Sequence, residues 1–575
     1  MKGIVIVDAQ GSTDTPRAHL VNPFTMECLR DIGLEDDATR MSVAPELIGA
    51  FRYCRSLLGQ EWGRVLHWEG VPEIAAQVKS STPSRWIDLP QSYMEPILVN
   101  NASHNGFAVR FSTQLESVEK APSGEWLCRV QDRVREDSYV IRTKFLFGAD
   151  GGHSTVARFT NAKFTSMPSQ GVACNILLSC DVTHLIEGRQ AQLHTIVNPT
   201  ANSRLGIGGI IRMIRPWHEW MLVTVTPGID ISQDPFKNLK PDSPELVAYV
   251  REALGLDENS LTKDIPLKIH RLDPWVIRET VADHLDPDNN VFLLGDAAHR
   301  HPPIYGLGSN TCVQDAYNLA WKVAFVARGL AGPGLLQSYD GERQPVAAQL
   351  VREANAGLRT QHVPLWHAMG LLGQSPEEGS QVQPLLNSAT EAGEEQRRKL
   401  HEAFEVKGIE GKSLGLCGNQ WYTSNAIYLD DETGPRPQIQ GDPIVELQVC
   451  TYPGTRLPHA WLDVPARRRA ISTHDLAGKG AFCLFTGYGG DAWQDAAATI
   501  SKKTGIPINS YKIGFGLEWQ DIERQWYARR GVEDSGCVLV RPDRYVAWRS
   551  VKRVDDCEGK LSRVLDRILS REMMV

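Results

Sequence analysis

The sequence predicts an α/β fold built on a parallel sheet covered on both faces. Three apolar runs carry that expectation: residues 3–7 (Gly-Ile-Val-Ile-Val), 138–147 (ending Phe145-Leu146-Phe147) and 290–294 (Asn-Val-Phe-Leu-Leu). Each stops abruptly near an acid, at Asp8, Asp150 and Asp296. Strands apolar on both faces mark a buried parallel sheet rather than a half-solvated antiparallel one. At roughly 150 residues per domain, a chain of 575 residues makes about four units, or two large domains and one small.

The elements follow in order. Residues 3–7 are the first strand, Gly11 to Asp14 a loop, and 23–33 a helix closed by Gly33, a good C-cap residue. From 161 to 275 the pattern changes. Alternation in Ala173 to Leu178, Gln192 to Val197 and Trp220 to Val225 predicts antiparallel strands facing a cavity. Residues 310–330 predict a helix, with Asn310, Val313, Ala316, Tyr317, Ala320 and Trp321 on one broad face. Two stretches read as linkers: 373–398, which is polar, and 430–442, which is acidic and rich in Pro and Gly. Beyond 442 a compact βα pattern predicts strands at 481–486, 509–513 and 536–540, with helices near 491–504 and 518–529. The expected division is 1–160, 161–275, 276–372, 373–442 and 443–575.

Composition excludes several classes. Lys+Arg total 61 against Asp+Glu 69, a formal charge of −8, so no basic excess exists to neutralise nucleic-acid phosphates. The apolar run at the N-terminus is too short for a secretory signal. No run of 18 apolar residues predicts a membrane span. A cytoplasmic protein is expected, without membrane or nucleic-acid partners. The 11 cysteines are scattered, with no Cys-x-x-Cys pair, so neither a disulfide scaffold nor a metal site is expected.

The segment with the densest chemistry is Gly295-Asp296-Ala297-Ala298-His299, then Pro302-Pro303, then Gly306-Leu307-Gly308-Ser309-Asn310 opening the long helix. An acid at a strand end accepts hydrogen bonds from sugar or ribityl hydroxyls. Gly306 and Gly308 let backbone approach a flat ligand. The amides at the helix start, around Ser309 to Thr311, stabilise negative charge. A second Gly-rich turn runs from Gly148 through Asp150 to Arg158, where an acid can hold loop amides or hydroxyls and an arginine can answer a phosphate. His299 and His301 flank the prolines, where an imidazole can tune a cofactor, deprotonate a phenol or pack against the helix start. Arg212, Arg215, Trp217 and His194 fall in the 161–275 unit, without a sequence reason to place them on a cavity wall.

The stretch from Gly295 to Lys322, with Asp315-Ala316-Tyr317-Asn318-Leu319-Ala320-Trp321, resembles the FAD-binding signature of flavin-dependent aromatic hydroxylases, nearest to the phenol hydroxylase and dichlorophenol monooxygenase branch. Arg17-Ala18-His19, Asn22-Pro23, Thr25-Met26-Glu27, Asp88-Leu89-Pro90-Gln91 and Arg215-Pro216-Trp217 are also similar. Residues 443–575 resemble the branch's thioredoxin-like appendage, with Cys483 alone on its strand. The resemblance implies an FAD/NAD(P)-binding Rossmann-like domain, an inserted mixed-sheet substrate domain and a C-terminal thioredoxin-like domain. It implies cofactor contacts from Asp8, Arg17, Gln91, Asp150, Arg158, Gly295, Asp296, Pro303, Gly306, Gly308, Ser309 and Asn310, and catalytic candidates in His301, Pro303 and Arg215. Phe24 stands where the family has an arginine. The family opens with a strand and Gly-x-Gly-x-x-Gly, whose helix start cradles the pyrophosphate. No such motif lies near the start here, and residues 3–8 match the strand that usually comes second. A βα unit of roughly 25–30 residues is therefore expected to be missing through a truncated gene model, the alternative being FAD held without it.

The activity implied is a monooxygenase using FAD and NADPH (or NADH), which inserts one oxygen atom from O₂ into a phenolic or aromatic polyketide-type substrate. A homodimer and a place in secondary metabolism are implied with it. Two alternatives stay open: another oxidation on the same fold (oxidative dearomatisation, ring-oxygen insertion), or an inactive protein lacking the Gly-rich unit.

Overall fold

The computed structural model of the chain describes residues 3–198, 205–206, 208–257, 261–288, 290–372, 376–464 and 470–571. Two of its sheets are short parallel pairs. Ile4–Ile6 pairs with Ala108–Arg110, and Leu146–Gly148 with Val291–Leu293. Val291, Phe292 and Leu293 are fully buried, as an all-apolar strand requires. The first pair is less covered: Ile4 and Val5 remain 47% and 43% exposed, and Phe147 in the second pair 44%. Among the described residues no strand joins the two pairs. The expected strand 138–147 divides. Asp137–Thr143 alternates in exposure and joins an antiparallel sheet with Thr113–Lys120 and Trp126–Asp132, and only Leu146–Gly148 enters the parallel pair.

The largest sheet has eight strands, in the order His299–Arg300, Lys268–Ala282, Phe164–Ser179, Glu219–Pro227, Gly209–Arg215, Leu193–Ile196, Ala50–Cys54 and Glu61–Leu66. The alternation seen from 161 to 275 is thus antiparallel sheet. The boundary at 160 does not hold, because Ala50–Cys54 runs parallel to Leu193–Ile196 and buries Cys54 among Ile176, Ile196 and Ile211. Helix Pro23–Asp31 is capped by the Asn22 side chain and followed by Gly33 at φ +77°, as the sequence indicates.

The stretch expected to be a linker at 373–398 is instead largely helical: Pro376–Leu386 and Glu391–Lys407 are helices, and 373–375 lie outside the described residues. The second helix is polar because it buries only a narrow stripe, with Leu400, Ala403 and Phe404 against the core, and Thr390 caps its start. Residues 430–442 are irregular and mostly exposed. Beyond them, Ile508–Lys512, Phe482–Thr486, Cys537–Val540 and Val546–Ser550 form a sheet in that order, the first two parallel and the rest antiparallel, with helices Asp491–Thr504 and Cys557–Ile568. This is the thioredoxin-like arrangement. The helix expected at 518–529 shrinks to Gln525–Arg529, because the Trp519 backbone exchanges hydrogen bonds with Lys512 and Gly514 instead. Burial pushes the Cys483 thiol well above its usual range, which leaves no reactive thiolate there.

A buried charge network docks this C-terminal unit. Glu342 accepts from Arg541 Nη2 at 2.9 Å and from Lys322 Nζ at 2.7 Å, Asp543 pairs with Arg541, and all four side chains are sealed from solvent. Removing one partner strands a buried charge, which costs about 3–5 kcal/mol. Arg541→Ala is therefore expected to lower unfolding free energy by about that amount in chemical denaturation; a change within 1 kcal/mol would mean the network does not hold the units together.

Candidate active site

The turn after Val291–Leu293 is built on one buried carboxylate. Gly295 sits at φ +57°, and a Cβ there would lie 2.6 Å from Cys312 Sγ, so the position requires glycine. Its N–H donates to Asp315 Oδ2 at 3.2 Å, which also pairs with His299 Nε2 at 2.9 Å. Arg343 Nε donates to Asp315 Oδ1 at 2.7 Å. Burial works to raise the pKa of Asp315, but Arg343 and His299 hold it below the usual carboxylate value. His299 is thus committed to the scaffold. Asp296, one residue after Gly295, is exposed and takes no hydrogen bond from the described residues.

Helix Gly308–Ala327 begins without a side-chain cap and without an acid in its first turn, so its leading amides are left for a ligand. A Cβ on Gly308 would meet nothing within 4 Å. Asn310 is committed elsewhere: its Nδ2 donates to the Leu20 carbonyl at 2.9 Å and its Oδ1 accepts from the Asn22 N–H at 2.9 Å, stapling the helix to the segment after Arg17. Gly306 lies at φ +64° with Leu20 against it. Pro303 is exposed beside this space, and Ser309 is half-buried. His301 bonds Pro302 O through Nδ1 at 2.7 Å, leaves Nε2 unpartnered, and is pushed by burial down to about 4, so it is neutral at physiological pH.

Gln91 is brought to the same region, since its N–H donates to Ala18 O at 2.7 Å and Leu89 N–H to His19 O at 2.7 Å. Its side chain donates to Glu95 at 2.6 Å, and Arg17 is exposed beside it. Asp150 accepts from the Thr155 and Val156 amides at 2.7 and 3.1 Å, which spends one oxygen on the start of helix Thr155–Phe159. Arg158 is exposed and donates to Thr155 Oγ1 at 2.9 Å. Asp8 is exposed and pairs with Arg133 at 3.0 Å. Arg215 does not join these groups: it is half exposed, bonded to the Tyr93 hydroxyl and paired with Glu219 at 3.5 Å. Trp217 and His194 pack into the substrate-sheet core, where burial pushes His194 down to about 3.

Sequence reasoning missed a buried polar group at the junction of the units. Asp88, fully buried, accepts from Gln192 Nε2 at 2.5 Å and pairs with His19 Nδ1 at 3.0 Å. Arg212 lies beside them, donating to Arg17 O at 2.6 Å and to Pro16 O. The sheet explains the meeting: Leu20 pairs with Asp88, and Gln192 and Arg212 border the facing strands Leu193–Ile196 and Gly209–Arg215. Burial and Arg212 lower the pKa of His19, and Asp88 opposes them. Burial pushes Arg212 down to about 10, so it remains a cation at neutral pH. His19 and Asp88 each stood in a stretch already singled out; the missing signal was their contact across 69 residues. Next to Asp88 along the chain, Trp86 walls a cavity of about 260 Å³ together with Ile48, Gly49, His67, Trp68 and Gly70.

His284, Asp286 and Asp340 also place ligand atoms within 4.8 Å of one another, a grouping invisible in sequence. His284 bonds Asp340 at 3.0 Å, and Asp340 accepts the Leu285 N–H, so the group ties a loop to helix Gln337–Gly357.

A bare helix start, open space before Gly308, a free Asp296 and a nearby neutral histidine fit the ring and ribityl end of a flavin. They define a candidate flavin-binding site. Residues 2–354 match the FAD-binding-domain family and residues 450–571 the C-terminal domain of aromatic-ring hydroxylases, and the chain belongs to this family of FAD-dependent aromatic hydroxylases. It is 37% identical over 560 residues to 2,4-dichlorophenol 6-monooxygenase of Delftia acidovorans, covering 97% of this chain and 92% of that protein. It is 36% identical over 568 residues to phenol 2-monooxygenase of Pseudomonas sp. (strain EST1001), covering 98% and 88%. Among solved structures, the flavin-dependent monooxygenase PieE in complex with FAD and substrate superposes with TM-score 0.89 at 31% identity, covering 99% of this chain and 95% of that one.

Since Gly308 borders open space, Gly308→Val is expected to keep thermal stability near wild type while weakening FAD binding at least tenfold, read by flavin fluorescence titration. Asp296→Ala is expected to do the same. Parallel losses of stability and affinity would make Gly308 a packing position.

Proposed function

We propose that the chain hydroxylates a neutral phenol with FAD and NADPH, and that His19 is its general base. The observation that carries this reading is the His19–Asp88 pair. His19 Nδ1 lies 3.0 Å from Asp88 Oδ2 and 3.3 Å from Gln192 Nε2; in the tautomer whose Nδ1–H donates to the Asp88 carboxylate, the lone pair of neutral His19 lies on Nε2, which has no partner among the described residues. When bound, FAD supplies electron uptake from the nicotinamide and activation of O₂. His19 Nε2 takes the phenol proton, Asp88 stabilises the imidazolium that forms, and the Arg212 cation favours the phenolate. The phenolate is the better nucleophile at ring carbon. The fully buried Asp88 shields its side of the proton transfer from bulk water. Curated relatives named for phenol and dichlorophenol support this substrate class.

His19→Ala is expected to lower kcat/KM by roughly 10²–10⁴ at pH 7. The deficit should shrink as pH approaches the phenol's own pKa, near 10, where base catalysis is no longer needed. Because the pKa of His19 is lowered from 6.5, wild-type kcat/KM should fall only as pH drops below 6.5, as the imidazole becomes protonated. A deficit independent of pH would remove His19 from proton transfer.

Arg158, exposed next to the Asp150 turn, is assigned to the nicotinamide cofactor's phosphates. Arg158→Ala is expected to slow flavin reduction by NADPH while leaving reduction by dithionite unchanged; equal NADPH rates would refute the assignment. A cytoplasmic setting accords with the eleven cysteines, all free thiols. A homodimer accords with the exposed Phe515, Ile522 and Tyr527 of the C-terminal unit, and light scattering tests it.

A further inference from the structure

Tyr305 is a buried residue in a conformation that suits glycine, at φ +62°. A bulky residue there stores strain and persists only where its surroundings hold it. Three groups hold it, and all come from residues 357–410, between the two family-matched regions 2–354 and 450–571. Glu410 Oε1 accepts the Tyr305 N–H at 3.2 Å. Gln361 Nε2 donates to the Tyr305 hydroxyl at 2.7 Å. Gly357 lies so close that a Cβ there would be 2.9 Å from the tyrosine ring. Gln361 and His362 sit in a π-helical turn, Leu358–His362, a wider turn often found at functional sites. His362 Nε2 bonds Glu410 Oε2 at 2.8 Å, and Lys407 donates to the same oxygen. Glu410, His362 and Lys407 are all buried.

The strained residue lies three positions before helix Gly308–Ala327. Tyr305 precedes Gly306, also left-handed, and Gly308 opens the helix with its uncapped amides. Gly306 presses on Leu20, the neighbour of His19. Two consecutive left-handed residues therefore set both the direction of the helix start and the seat of the His19 segment.

We propose that Glu410 and Gln361 are positioning residues for the flavin site, holding the Tyr305–Gly306 turn so that the helix amides and His19 meet the bound flavin in register. This rests on the FAD reading of the site and extends it to a segment outside both family-matched regions. Glu410→Gln keeps an acceptor for the Tyr305 N–H but breaks the ion pair. Gln361→Leu removes the hydroxyl contact and leaves the ion pair intact, so it reports even if Glu410→Gln fails to fold.

Three measurements on the full chain decide the matter: the FAD dissociation constant by fluorescence quenching, hydrogen exchange at residues 305–310 against strand Phe482–Thr486, and product formed per NADPH consumed. Loss of one hydrogen bond predicts a FAD dissociation constant roughly two- to tenfold higher. Exchange should rise at 305–310 alone, and coupling should fall. Unchanged affinity and exchange in a folded Gln361→Leu would overturn the proposal, as would losses spread equally to Phe482–Thr486. If the wild type binds FAD but oxidises no phenol, the substrate reading fails while the first two measurements still judge the positioning role.

Discussion

The Asp315 carboxylate is the constraint from which the rest of the site follows. It is fully buried, yet it binds the Gly295 amide, His299 and Arg343, and Arg343 continues to Gln420 Oε1 at 2.6 Å and the Tyr422 hydroxyl at 3.1 Å. One residue thus fixes the turn after Val291–Leu293 relative to helices Gly308–Ala327 and Gln337–Gly357 and to the chain leading into the C-terminal unit. Leaving any of these donors unpaired in a dry interior costs more than its net bond is worth, so the turn has a single low-energy arrangement. Because Asp315 meets these structural demands, the next carboxylate, Asp296, is left free and exposed.

The same division between committed and free groups recurs across the site. Asp150 spends one oxygen on helix amides, and Asn310 spends its amide on the 20–22 segment and the Gly306 carbonyl, whereas Gly308, Asp296 and Arg17 remain uncommitted. His299 and His301 differ in the same way. The first is locked to Asp315, while the second is neutral with an unpartnered Nε2. A motif read as a uniform run of ligand contacts is therefore a mixture of frame and contact, and hydrogen bonding separates the two.

How much was legible in sequence follows from the range of each interaction. The Gly295–Asn310 turn and helix are local, so glycine spacing and an acid at a strand end exposed them. The strands beyond 442 and helix Asp491–Thr504 were legible as a βα pattern because they are apolar runs and a periodic helix, while the thioredoxin-like reading came from the family resemblance. The His19–Asp88 pair was not, since it forms only when Leu20 pairs with Asp88 and the large sheet closes over both. The entry of Ala50–Cys54 into that sheet escaped for the same reason: its parallel partner lies 142 residues away, at His194 against Arg52. Helix Glu391–Lys407 was read as linker because a helix with a narrow buried stripe has the composition of a solvated segment.

These ranges also bear on how the site is kept in register. The candidate cofactor groups lie within a few residues of a turn, whereas the side chains that brace those turns come from farther along the chain: Glu410 is 105 residues from Tyr305, and Arg343 is 28 from Asp315. Local spacing can create a bare helix start, but only tertiary contacts decide where it points. The parallel pairs illustrate the limit. Ile4–Ile6 runs toward Asp8, yet Asp8 is exposed and, among the described residues, its side chain pairs with surface Arg133, and Ile4 and Val5 are half solvated. Backbone bonds tie that turn to residues 110–113, the Val7 N–H donating to Arg110 O and the Thr113 and Ser112 amides to Val7 O and Ala9 O, whereas buried side chains lock the turn at Asp315. The turn at Asp8 is accordingly held less firmly than the turn at Gly295, whose side-chain bonds to Asp315 are sealed from solvent.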